Sequence, residues 1–193
     1  MSEIELCSAA HARAQNAAGA PIEFISVVAS GAHTAAVSSP VYVPGPRRVA
    51  EGEPVLADLV VRCRGYWGDT TRTWVSGKHP VVEEVRDAIT AILHEIGGRL
   101  RPGQSAVEVF EETRRAILAR FPDGSFPHHA GHGIGIDVAE GPQLIPTEAM
   151  RLEAGMVLAI EPGVYFPGRF GVRVEDMYVV TENGGRIVRA LDT

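Results

Sequence analysis

The chain has 193 residues, 45% of them hydrophobic, and a formal charge of −6 at neutral pH. That length can bury one sizeable core, so a single domain over 1–193 is expected. The acidic balance argues against nucleic-acid binding, which needs a basic stripe, and no apolar run approaches the ~20 residues of a membrane span.

The opening "MSEIELC" lacks the basic-then-apolar pattern of a signal peptide, and Cys7 and Cys63 make neither a CxxC motif nor a disulfide framework. A cytoplasmic protein is the expectation. Residues 2–18 are alanine-rich and suit a helix, ended by Gly19-Ala20-Pro21. "FISVVAS" (24–30) is rich in β-branched and aromatic residues and reads as a buried strand. Residues 31–54 hold too much proline and glycine for regular structure and read as a long loop, where His33 is expected to be a solvent-exposed residue. "VLADLVVRC" and "WGDTTRTWV", joined by Arg64-Gly65-Tyr66, look like a β-hairpin. Two helices follow. Val81, Val85, Ile89, Ile92, Ile96 and Leu100 form one apolar stripe, and Ser105 and Glu108 form a capping box ahead of Ala106, Val109, Thr113 and Ile117. "MVLAIE", "GVRVEDMYVVT" and "RIVRAL" then read as strands, with Asn183-Gly184-Gly185 as a hairpin turn.

Between the helices and those strands lies "HHAGHGIG", with three of the seven histidines in five positions. Histidines set between glycines are poor core material and point to a metal. Acids recur in an echo: Asp58 and Glu161 each lie six residues after a glycine, and Asp69 and Glu175 follow them by 11 and 14 residues. The echo suggests two related hairpins, each offering two carboxylates. Four carboxylates carry a charge that two divalent cations would cancel, and an oxygen-rich set with one imidazole suits Mn²⁺, Fe²⁺, Co²⁺ or Zn²⁺. Such a pair of ions activates water and clamps an oxyanion, which points to hydrolysis of an amide or related C–N bond.

"DLVVRCRGYWGDTTRT", "GHGIG", "IEPGVY" and "GVRVED" together resemble the pita-bread metallopeptidases: methionine aminopeptidase, aminopeptidase P, prolidase and creatinase. The likeness is greater to the proline-directed branch and runs from about Phe24 to the end. The resemblance implies an α+β pita-bread fold, with pseudo-two-fold related hairpins and helices around a central metal site. It further implies Asp58 as a terminal ligand, Asp69 and Glu175 as bridges between two ions, and His132 and Glu161 on the second ion. Glu161 would also take the proton from the attacking water, His128 would stand beside the substrate, and Arg173 would orient a bridging carboxylate. His129 has no matching role and reads as a surface or supporting residue.

Two histidines that the resemblance implies are replaced here, by Ala139 and Ser38. Set against the resemblance, the expectation is a short form of such a domain, starting about one helix later and without a separate N-terminal domain. The loop 37–50 carries Tyr42 and Arg47-Arg48, which could bind a substrate carboxylate. The expected function is an Xaa-Pro peptidase-like hydrolase acting on a dipeptide or small molecule, and a homodimer is compatible with it. A repurposed non-peptidase enzyme on the same scaffold and a non-catalytic binding module are the alternatives.

Overall fold

The computed structural model describes residues 1–36 and 43–188. Helix α1 (Glu3–Ala18) opens on a capping box. The Ser2 hydroxyl accepts from the Glu5 amide at 3.2 Å, and the Glu5 carboxylate accepts from the Ser2 amide at 2.7 Å. The helix ends at Gly19, as its sequence predicts. Strand β1 (Ile22–Ser30) leads through a short 3₁₀ turn (Gly31–Ala35) toward β2 (Pro54–Cys63), which returns as β3 (Tyr66–Val75). These form a three-stranded antiparallel sheet in the order β1-β2-β3.

The predicted hairpin is present, with a tighter connection than expected. Only Arg64 and Gly65 turn the chain, both with positive φ (+53° and +93°), the backbone twist that two-residue hairpin loops favour. The expectation of a buried β1 holds only for its end. Val28, Ala29 and Ser30 are buried, whereas Ile25 is half exposed, because β1 is the edge strand of its sheet. His33 is exposed, as its sequence predicts, and its Nδ1 lies 3.3 Å from Oε1 of the buried Glu3.

Helices α2 (Pro80–Gly98) and α3 (Ala106–Arg120) supply much of the main core. Val85, Ile89, Ile92 and Ile96 point inward, and Leu100 is buried just past the helix end. Val81 is half exposed and Val82 takes its place, because 82, 85, 89, 92 and 96 continue one alternation of three- and four-residue steps. In α3, all four predicted positions are buried, and the Ser105 amide donates to the Glu108 carboxylate at 3.0 Å.

The second half contains β4 (Gly131–Gly133), β5 (Glu140–Gln143), β6 (Val157–Ile160), β7 (Gly163–Phe166), β8 (Phe170–Arg173), β9 (Asp176–Thr181) and β10 (Gly184–Ile187). Five of these form an antiparallel sheet in the order β10-β9-β6-β4-β5, while β7 and β8 pair separately. "GVRVEDMYVVT" is therefore not one strand. It breaks at Val174-Glu175, whose amides donate to Pro162 O at 3.2 Å and Thr71 O at 3.0 Å instead of continuing a ladder. The last hairpin turns at Glu182-Asn183, since Thr181 already pairs with Gly184. The α+β class and the two strand-rich regions around a helical middle hold.

Candidate metal centre

The glycines around His132 have a geometric cause. β4 is held between β6 and β5, and a Cβ at Gly131 would sit 2.0 Å from Ala159 O, while one at Gly133 would sit 2.4 Å from Gly141 O. Gly131 also has φ +149°, outside the usual range of other residues. Glycine on either side lets the imidazole stand on a strand that neighbours crowd from both edges. His132 Nδ1 donates to Gly133 O at 2.9 Å, so Nε2 carries the lone pair. That Nε2 faces Asp69 Oδ2 at 3.7 Å and Glu161 Oε1 at 3.9 Å.

The carboxylates arrive from two directions. On β2 and β3 the pairs are Asp58↔Thr71 and Val60↔Asp69, which sets the two aspartates diagonally across one hairpin. The period of two buries Asp69, Thr71 and Thr73 on one face of β3. Glu161 follows β6 and Glu175 precedes β9, one step beyond the last pair Ile160↔Asp176. Asp69, His132 and Glu175 each offer a ligand atom within 4.8 Å of the others, and all three are buried.

Three carboxylate oxygens in this cluster, Asp58 Oδ1, Asp69 Oδ1 and Glu175 Oε1, are buried without a hydrogen-bond partner. Buried polar atoms are seldom left so, and each costs free energy unless something binds it. Burial, then the charges of Glu175 and Asp58, push the Asp69 carboxyl up to about 9. Burial likewise pushes Glu161 up to about 8 and Glu175 well above the usual carboxylate range. Burial lowers all three imidazoles, His128 to about 3 and His129 to about 4, with His132 moved in the same direction. Carboxyls that resist ionising, partly because their charges repel one another, describe a site short of positive charge. Divalent cations fit that deficit and those unpaired oxygens.

One cation is built in. Arg173 is buried and pairs with Asp58 Oδ2, and its Nε lies 3.4 Å from Thr71 Oγ1 and 3.8 Å from Glu161 Oε2. Burial opposes its charge, but Tyr165, Asp58, Glu161 and Glu175 outweigh that and hold it protonated. The carboxylate it orients is thus Asp58. Glu175 is instead held by the Thr71 hydroxyl, which donates to Oε2 at 2.6 Å.

His128 Nδ1 donates to His129 O at 2.7 Å, so its Nε2 accepts from the Tyr165 hydroxyl at 2.8 Å, which in turn accepts from Arg173 at 3.1 Å. Both ring nitrogens are used by the protein. His129 is closer to the centre than the sequence suggests, with Nδ1 3.1 Å from Glu161 Oε1.

The structure thus brings together Asp58, Asp69, His128, His132, Glu161, Arg173 and Glu175. It gives Arg47 and Arg48 other tasks. The Arg47 guanidinium is engaged by Glu53 and by Ser30 Oγ, and Arg48 is an exposed residue bridged to Ser2. The Arg47 guanidinium is thus not a free cation, and the loop turns back onto α1, where Arg47 O accepts from the Glu3 amide at 2.9 Å. Ser38 and Tyr42 lie outside the described residues. Ala139 is exposed and brings no polar group. Sequence reasoning missed Tyr165 and Thr71. Tyr165 closes the quoted "IEPGVY", and Thr71 shares the period-two face of Asp69, which was the available signal.

The fold and the carboxylate-rich centre define a metallohydrolase-like scaffold of the pita-bread type. Residues 1–182 match metallopeptidase family M24, and the chain belongs to that family. It is 36% identical over 164 residues to an uncharacterized peptidase of Staphylococcus saprophyticus, covering 84% of this chain and 46% of that protein. The peptidase YqhT of Bacillus subtilis is 34% identical over 166 residues, covering 86% and 46%. Among solved structures, a prolidase from Thermococcus sibiricus superposes with a TM-score of 0.88 at 34% identity, over 99% of this chain and 52% of that one. The Xaa-Pro dipeptidase from Bacillus anthracis gives 0.88 at 30% identity, over 97% and 52%. The chain spans about half the length of the relatives it matches.

Proposed function

We propose that this chain is a dinuclear metal-dependent hydrolase that cleaves the amide bond of an Xaa-Pro-type dipeptide or a similar small C–N substrate. The observation that carries the reading is the set of buried, unpartnered oxygens of Asp58, Asp69 and Glu175 around the free Nε2 of His132. Asp58, Asp69, Glu175, His132 and Glu161 would hold the ions, the two aspartates from the first hairpin and the other three from the second half of the chain. Bound divalent ions would supply Lewis-acid polarisation of the scissile carbonyl and a water of lowered pKa.

The protein's own residues do the rest. Glu161 accepts the proton of the attacking water on a carboxylate oxygen. Arg173 fixes Asp58, Thr71 fixes Glu175, and the Tyr165–His128 pair forms the wall beside the substrate. The names of the solved neighbours, prolidase and Xaa-Pro dipeptidase, support this substrate class. Exposed Ala139, where the resemblance implies a histidine, favours as second reading a related C–N hydrolysis on a non-peptide substrate.

Metal content by elemental analysis, together with a panel of Xaa-Pro dipeptides, tests the proposal. About two equivalents of Mn²⁺ or Co²⁺, lost with hydrolysis in Asp69→Asn, is the expected result. A chain that takes up no metal after reloading would overturn it, and metal uptake without peptide cleavage would favour the second reading.

A further inference from the structure

We infer that His129 is a positioning residue for Glu161, bearing on the same carboxylate oxygen, Oε1, that faces His132. The inference rests on the metal reading above. Glu161 lies just outside a regular strand, so its side chain takes its direction from its neighbours. Oε2 is flanked by Arg173 Nε at 3.8 Å and His128 Nδ1 at 3.9 Å. Oε1 is flanked by His132 Nε2 at 3.9 Å and, closest of all, His129 Nδ1 at 3.1 Å.

The tautomer follows from the surroundings. His129 Nδ1 faces two acceptors, Glu161 Oε1 and the Gly131 carbonyl at 3.3 Å, so the proton sits on Nδ1. The Nδ1–H is held by the Gly131 carbonyl, and its positive end lies 3.1 Å from Glu161 Oε1; a neutral imidazole dipole that close to a ligating carboxylate helps fix its orientation and tunes its donor strength. The ring is more exposed than its neighbours (side chain 37%, against 11% for His128 and 7% for His132), which by itself would suggest a surface residue. The contact with Glu161 decides otherwise.

The test uses three variants of the whole chain, loaded with Co²⁺ and followed by visible absorption and by competition with a chelator. His129→Ala is expected to weaken the affected ion about 10–100-fold and to alter the Co²⁺ absorption band. His129→Asn, which keeps an N–H donor at the place of Nδ1, is expected to restore both. His129→Gln, whose amide reaches the place of Nε2, is expected to restore neither. Equal affinity and an unchanged band in His129→Ala would overturn the inference while leaving the metal reading intact. Rescue by Gln and not by Asn would also overturn it, making Nε2 the working atom. A wild-type chain that binds no Co²⁺ would overturn the metal reading and this inference with it.

Discussion

The two halves of the centre present their acids in different ways. Asp58 and Asp69 stand on an uninterrupted hairpin of ten-residue strands, where alternation alone turns them to one face. Glu161 and Glu175 stand where a second, longer hairpin breaks. Below the break β6 pairs with β9, above it β7 pairs with β8, and at the break the amides of Glu161 and Glu175 donate to Ala130 O and Thr71 O at 3.0 Å each. The first region places carboxylates by local periodicity. The second places them by borrowing partners from distant strands, and its geometry is therefore only as good as those contacts.

Replacing a proposed ligand tests what the halves share. Asp69→Asn and Glu175→Gln should both abolish metal retention and hydrolysis, a larger loss than the roughly 10–100-fold expected for supporting contacts. Retention of two ions in either variant, by elemental analysis, would break the comparison. The same Asp69→Asn chain should be more heat-stable than wild type when metal-free at pH 9, because it removes a buried acid that resists ionising.

Arg173 joins the halves, so Arg173→Met should be the most destabilising of the changes outside the ligand set. Leaving Asp58 without its buried partner costs about 3–5 kcal/mol, read as a fall in denaturation midpoint. An unchanged midpoint would mean that the halves are held by strand contacts alone.

The metal-free protein should also lose stability between pH 7 and pH 9. Asp69 and Glu161 bind protons more tightly folded than unfolded, with folded values of about 9 and 8 against ordinary values of 3.8 and 4.5. Their contribution is complete below the ordinary values and disappears as pH rises through the folded ones. The lowered imidazoles act oppositely, but only below their ordinary value of 6.5. Above pH 7 the carboxyls alone set the slope. Melting temperatures in chelator should fall across that window and be restored by Mn²⁺; a rise in chelator would contradict the burial argument.

Smaller effects separate the regions further. Thr71→Val removes the hydroxyl bond to Glu175 and should cost about 1–3 kcal/mol. Ile25→Ala, on the half-exposed edge strand of the first region, should stay within about 0.5 kcal/mol.

Legibility in the sequence follows the same division. The first hairpin, both long helices and every acid of the centre were readable, because local period and motif spacing specify them. The break at Val174-Glu175 was not, since an unbroken β-branched run hides a bend caused by Thr71, about a hundred positions away. β4 was missed because "GHG" has no strand propensity of its own and is a strand only through β5 and β6. His129 could be read only as a surface or supporting residue for a related reason. Its neighbour Glu161 comes from another strand, and nothing between positions 128 and 132 reveals which way that ring turns. Arg47 looked available because its partner Glu53 belongs to the same irregular loop.

The stitching of β3 to the segment 173–176 has a consequence for how the molecule comes together. Thr71 to Glu175 spans 104 positions and Arg173 to Asp58 spans 115, so neither half of the chain can assemble the centre alone. Contacts between such distant positions form late, after loop closure has been overcome. Cation uptake during refolding should accordingly lag the appearance of helix signal, which makes the centre a clock for the final docking of the two halves.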